Sequence, residues 1–314
     1  MTSRAFDSET ALRGEAAARP KQGGAAGAAQ GALAVPGRRV NALTVDVEDY
    51  FQVSALAPHI DRGRWDAMEC RVERNIAALL ALFERRGARA TFFTLGWIAQ
   101  RYPGLVRDIV AHGHEVASHG SEHRRASEQT PQQFRSDIGD ARKLLEDVSG
   151  RPVRGYRAPS FSIGTANLWA FDCIAEAGYR YSSSVYPVKH DHYGMPDAPR
   201  FAYRVRDGLM ELPITTTRML ARNFPAGGGG FFRLLPYGVS RWAIARVNRV
   251  DNQPAIFYFH PWEIDPQQPR VPGVGPKTRF RHYLNLDRTA SRLDRLLSDF
   301  RWDRIDRVFE IDSA

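Results

Sequence analysis

The sequence is poor in several features, and each shortage removes a class of protein. It holds two cysteines in 314 residues, Cys70 and Cys173, far apart and outside any CxxC pattern. That excludes a disulfide framework and a thiolate zinc cluster, and it suits a reducing compartment. No stretch approaches the roughly 20 apolar residues that a membrane helix needs. The N-terminus lacks the apolar core of a secretory signal, because Asp7, Glu9 and Glu15 interrupt its Ala/Gly-rich run. A cytoplasmic site is the resulting expectation. Long runs of one charge are missing too. The formal net charge is +9, but the basic residues are scattered. Neither an RNA-binding motif nor a zinc-finger spacing occurs, so nucleic acid is not an expected partner.

What is present reads as one α/β domain behind a tail. Residues 1–39 are dominated by Ala, Gly and Arg; such a mix buries little surface, and a disordered tail is expected. From residue 40 to 314, strand-like and helix-like segments alternate. Strands are expected at 41–47, 90–95, 114–118, 153–156, 179–183, 209–214, 255–259 and 304–311. Helices are expected at 70–86, 103–112, 131–148 with Thr130 as N-cap, 166–177, 239–248 and 289–300. Within 70–86, Val72, Ile76, Leu79, Leu80 and Phe83 recur at helical spacing and Gly87 ends the run. Regular β/α alternation predicts a mostly parallel sheet with helices outside, with enough strands to close a barrel. Residues 227–230, four glycines, read as a flexible break.

Four segments carry candidate chemistry. The first, Thr44-Val45-Asp46-Val47-Glu48-Asp49-Tyr50, puts three carboxylates directly after an apolar strand. Like charges packed there repel unless a cation or proton compensates; taken alone, the segment reads more readily as a solvated acidic turn. The second runs from His112 to His123 and holds four of the nine histidines. His119 and His123 are four apart, so a helical turn or compact loop can present both imidazoles to one divalent metal. In the third, Arg157-Ala158-Pro159-Ser160-Phe161, an arginine at a strand end can hold a carboxylate in fixed geometry. In the fourth, Tyr258-Phe259-His260-Pro261-Trp262-Glu263, a buried strand ends on a histidine placed for acid or base work.

In this order the segments resemble the NodB-homology polysaccharide deacetylases, carbohydrate esterase family 4, over about residues 41–310. The resemblance implies a distorted (β/α) barrel. It makes Asp46 the catalytic base, His119 and His123 metal ligands, and Arg157 the residue that orients Asp46. His260 becomes the acid for the leaving amine. The family's usual second Asp of the first motif is Val47 here, so Glu48 is the implied third ligand and Asp49 the reserve. Gly120 replaces the hydroxyl residue of the second motif, and Ser160 replaces the aromatic of the third. The Asp of the fourth motif, which tunes the last histidine, has no counterpart around Tyr181–Ser184. The strings DVEDYF, SHGSEH, RAPSFS and FYFHPWE are similar to the exosortase/PEP-CTERM-associated exopolysaccharide deacetylases, whose extra C-terminal region is matched from about residue 220.

The resemblance therefore implies a divalent metal, zinc being the expected ion, and a hexosamine-containing polysaccharide or oligosaccharide as substrate. The exopolysaccharide synthesis machinery is the implied partner. The backbone N–H of Ser160 is a candidate oxyanion donor. Phe161 and Trp262, with Tyr50 and Tyr193, are candidate exposed aromatics for stacking on sugar rings. Two alternatives stay open: a small-molecule amide or ureido hydrolase on the same barrel, and an inactive carbohydrate-binding protein.

Overall fold

The computed structural model describes residues 39–190, 194–220 and 222–311. The expected tail, Arg39 apart, and Tyr193 lie outside the described residues. In chain order the strands are β1 Val40–Val47, β2 Thr91–Thr94, β3 Glu115–Ser118, β4 Gly155–Tyr156, β5 Tyr181–Ser182, β6 Tyr203–Arg206, β7 Leu209–Glu211, β8 Thr216–Met219, β9 Arg222–Pro225, β10 Ile256–Phe259 and β11 Arg301–Asp303. The α-helices are α1 Val72–Arg86, α2 Gly96–Arg101, α3 Pro103–Ala111, α4 Pro131–Ser149, α5 Ala170–Glu176, α6 Gly229–Leu234, α7 Tyr237–Arg246, α8 Pro276–Tyr283, α9 Leu286–Asp299 and α10 Ile305–Val308.

The main sheet runs β10-β1-β2-β3-β4-β5-β7-β6, with β11 also paired to β1. Every pairing in it is parallel except β6 with β7. Between β7 and β10 the ladder gives way to irregular backbone that closes the barrel through single bonds. Leu212 N donates to Ser182 O (2.8 Å), Ile214 N to Val185 O (3.0 Å), Ala226 N to Thr215 O (3.0 Å) and Tyr258 N to Gly227 O (2.7 Å). This makes the barrel distorted. It also corrects the reading of 227–230 as a flexible break. A Cβ on Gly227 would stand 2.3 Å from Ile256 O, and one on Gly228 2.9 Å from the Tyr258 ring. These glycines let two backbones touch at the seam.

Side-chain alternation along β1 sorts the layers. Leu43, Val45 and Val47 point outward and pack with Ile76, Leu79 and Phe83 of α1 in the layer under the helices. Ala42 points inward and joins Phe93, Ala117, Tyr181, Ile214 and Ile256 in the barrel interior. Thr44 and Asp46 continue that inward row, so the interior turns from apolar to polar toward the C-terminal ends of the strands. The opposite end is plugged by Ile305 of α10, fully buried, whose N–H donates to Thr91 Oγ1 at 2.8 Å.

That plug is a second correction. The chain at 304–311 is not a strand: β11 ends at Asp303 and α10 follows. Ile305, Val308 and Phe309 stand at i, i+3 and i+4, a helical spacing that packs the turn against the interior cluster. Thr130 does cap α4, in a box with Gln133.

Candidate active site

Asp46 emerges at the C-terminal end of β1 and is 2% exposed. Arg157, just after β4, is fully buried and reaches across the interior to it. Its Nη1 donates to Asp46 Oδ1 at 2.6 Å and to Thr44 Oγ1 at 2.9 Å. Its Nε donates to Ser183 O at 3.0 Å and its Nη2 to Ser183 Oγ at 2.9 Å. The guanidinium also lies 4.0 Å from the Phe93 ring centroid. Every contact fixes the plane of the arginine, and the arginine fixes one oxygen of Asp46.

Glu48, His119 and His123 converge beside it. One donor atom of each lies within 4.8 Å of the other two, and all three side chains are buried. Glu48 Oε2 is 2.8 Å from His123 Nε2 and has no other partner among the described residues. His119 Nδ1 sits 2.8 Å from Arg157 O. A carbonyl accepts only from a protonated nitrogen, so Nε2 of His119 is left as the free lone pair for a metal. Burial pushes the His119 imidazole down to about 4, which keeps it neutral. Burial would raise the Glu48 carboxyl, but His123 and His260 outweigh it and hold the group down to about 2. Two imidazole nitrogens and one carboxylate oxygen are a donor set that fits a divalent ion, zinc included.

The two histidines are brought together by a loop rather than a helix. Gly120 has φ +77°, and a Cβ there would come within 2.9 Å of Asp137 Oδ2. Asp137, on α4, accepts from Ser121 N at 3.2 Å and steadies the loop. No signal in the sequence pointed to Asp137. Asp49 faces the other way. It accepts from the backbone N–H groups of Tyr50 (2.8 Å), Arg71 (2.5 Å) and Val72 (2.8 Å), and from Cys70 Sγ (3.1 Å). Three donors around α1's start consume it, so Glu48 stands at the cluster and the reserve ligand does not.

His260, after β10, completes the mouth. Its Nε2 lies 3.4 Å from Glu48 Oε1 and 3.9 Å from Asp46 Oδ2. Its Nδ1 is 2.8 Å from Glu263 Oε1, and Glu263 Oε2 accepts from Arg233 Nε at 2.6 Å. Burial lowers the imidazole's proton affinity, but Glu48 and Glu263 outweigh that and raise it to about 9. Glu263 is held down to about 2, the cost of burial being overcome by Arg233 and His260. Glu263, three residues past His260, lies inside the fourth of the sequence segments; Arg233, thirty residues upstream of it, carries no such signal.

The sugar-stacking expectation is corrected. Phe161 is 5% exposed, Trp262 4% and Tyr50 1%. Phe161 packs on Tyr186 and Tyr258. Trp262 is sandwiched between the rings of His260 and His282. Neither has a free face, because the apolar area of an aromatic is worth more inside than in water. Ser160 is half-buried with φ +55°, its hydroxyl 2.6 Å from Ser54 Oγ.

Fold and site together define a class: a (β/α) barrel with a candidate single-metal centre at the C-terminal ends of its strands. Comparison with known proteins adds likenesses to this class. Residues 60–182 match the polysaccharide deacetylase family model, and residues 183–310 match a domain of unknown function, DUF3473. The chain is similar to a peptidoglycan-N-acetylglucosamine deacetylase of Bacillus cereus, 34% identical over 32% of this chain and 46% of that protein. It is also similar to a chitooligosaccharide deacetylase of Azorhizobium caulinodans, 32% identical over 26% of this chain and 40% of that one. The match thus spans less than half of either relative. A solved structure from Mycobacterium smegmatis, described as a polysaccharide deacetylase, shares the fold at TM-score 0.59. It is 19% identical, with 90% of this chain and 93% of that one covered. These findings show a likeness to polysaccharide deacetylases over residues 60–182 and a fold shared with the Mycobacterium smegmatis structure.

Proposed function

We propose that this chain is a metal-dependent N-deacetylase that hydrolyses acetamido groups of a hexosamine-containing exopolysaccharide or its precursor. The observation that carries the reading is the buried Glu48–His119–His123 cluster, flanked by Asp46 on one side and His260 on the other. Those three side chains would hold one divalent ion, zinc being the one we favour, which polarises an amide carbonyl and acidifies water when bound.

The chain's own residues supply the proton traffic. Asp46, its Oδ1 fixed by Arg157, has Oδ2 free to take a proton from water attacking the amide carbon. The Ser160 backbone N–H is placed in this reading as a donor to the developing oxyanion. His260 gives its Nε2 proton to the departing nitrogen as the C–N bond breaks, leaving acetate and a free amine. The resemblance of DVEDYF, SHGSEH, RAPSFS and FYFHPWE to exosortase-linked deacetylases favours an exopolysaccharide over cell wall in this reading, and a cytoplasmic encounter with the synthesis machinery belongs to it; cell fractionation tests the latter.

The direct test is acetate release from partly acetylated glucosamine oligomers, with and without added divalent metals, beside elemental analysis of the pure protein. Expected are acetate release and about one divalent ion per chain, the ion being lost when His119 and His123 are both changed to Ala. Wild-type metal content in that double variant would move the metal elsewhere. No acetate from any acetamido sugar, with metal bound, would overturn the activity.

A further inference from the structure

The region 183–310, matched only to a domain of unknown function, holds a buried ion pair that the mechanism above leaves without a task. Glu263 is 1% exposed and accepts from both the His260 backbone N–H (3.0 Å) and the His260 ring Nδ1 (2.8 Å). Arg233, also buried, donates to Glu263 and to the backbone carbonyls of Arg281, His282 and Leu284. Trp262 braces both. The His260 ring stacks on it with a 20° interplanar angle, and the Arg233 guanidinium carbon lies 5.3 Å from its centroid. The glycine run makes room, because a Cβ on Gly229 would fall 2.3 Å from Glu263 Oε1.

A buried ion pair often stabilises a fold no better than apolar residues of the same volume, so stability alone gives this one no reason. The geometry offers one. An imidazole at the end of a strand can rotate about its side-chain bonds and protonate on either nitrogen. A carboxylate held against Nδ1 fixes both the ring direction and the tautomer, so that Nε2 points at Asp46 and Glu48. The arrangement mirrors the other side of the mouth, where Arg157 fixes Asp46.

We infer that Glu263 and Arg233 are positioning residues for His260. They aim its Nε2–H at the leaving nitrogen, and supplying this arm is one task of the unassigned region. The inference rests on the deacetylase reading for the identity of the step. The proton leaves Nε2 for the nitrogen lone pair as the C–N bond breaks, and the neutral ring keeps its proton on Nδ1, donating it to Glu263, until water reprotonates Nε2.

The test compares two substrates in the full chain with its metal. An N-acetylglucosamine oligomer expels an amine that must be protonated; 4-nitrophenyl acetate expels a phenolate that need not be. Glu263→Gln should lower kcat on the oligomer about 10- to 100-fold, with KM within about twofold, and leave the ester within about twofold of wild type. Combined with His260→Ala it should add no further loss. Should the single variant fold poorly, Arg233→Met with Glu263→Gln removes both charges together. Equal losses on both substrates, or an undiminished rate on the oligomer, overturns the inference. Imidazole ¹⁵N spectra give a second readout. The His260 ring should carry its proton on Nδ1 in the wild type when neutral and become a tautomer mixture in Glu263→Gln; identical spectra overturn the inference. A wild type that releases no acetate sinks the deacetylase reading alone, and the spectra then decide the arm by themselves.

Discussion

At the scale of single residues, three neighbouring carboxylates have three different surroundings, and their variants should separate accordingly. Asp46 is held by Arg157, Glu48 stands with two imidazoles, and Asp49 caps α1 through backbone N–H groups. Asp46→Asn should keep its metal and lose about 10²–10⁴-fold in turnover, the usual contribution of a general base. Glu48→Gln should bind metal more weakly and recover part of its activity in excess metal. Asp49→Asn should keep the metal and lower stability by about 1–2 kcal/mol, since an amide presents a donor where three N–H groups already point. Elemental analysis and thermal melts on the three proteins check this. Equal metal loss in the first two would refute the division, and metal loss in Asp49→Asn would show that the cap is not its role.

At the scale of elements, the glycine run separates space from flexibility. Gly229 opens α6 against Glu263, whereas Gly230, one residue on, would place a Cβ in open space. Gly230→Ala should therefore be neutral or stabilise by up to about 1 kcal/mol, because alanine is the better helix former. Gly229→Ala has to displace a buried carboxylate and should cost at least about 1–3 kcal/mol, the range for overpacking, with a loss of activity through His260. Matched thermal melts of the two variants decide it; equal behaviour would return the run to a flexible linker. The same scale shows which elements could be read in advance. β1, β2, β3 and β10 are apolar runs closed by turn residues. β6, β8 and β9 are not: Tyr203–Arg206 alternates over four residues only and none of them is buried, and Thr216–Met219 and Arg222–Pro225 carry no apolar alternation. α8 buries only His282 and has almost no apolar stripe, so its position depends on neighbours.

At the scale of the molecule, the two regions matched by separate family models share one sheet. β5 of the first pairs with β7 of the second, and β1, which precedes both, pairs with β2 on one side and with β10 and β11 on the other. A fragment of residues 39–182 therefore lacks both partners of one edge of its first strand and exposes the interior row of β1. Such a fragment should not fold: circular dichroism should show no cooperative melt. A sharp transition would mean that the deacetylase-like half is an independent domain.

Composition and local pattern were enough to exclude membrane helices and disulfide scaffolds among the classes considered. They predicted a parallel α/β layer and located the acidic turn, the histidine pair, Arg157 and His260. These signals are local, because strand alternation, capping and ligand spacing operate within a few residues. The closing of the barrel seam, the turning of Asp49 away from Glu48, the burial of Phe161 and Trp262, and the pairing of Arg233 with Glu263 were decided by the tertiary structure alone. Each depends on groups far apart in sequence meeting at hydrogen-bonding or van der Waals distance. A side chain's exposure and the direction of its polar atoms are properties of what packs against it, and no run of neighbours along the chain encodes them.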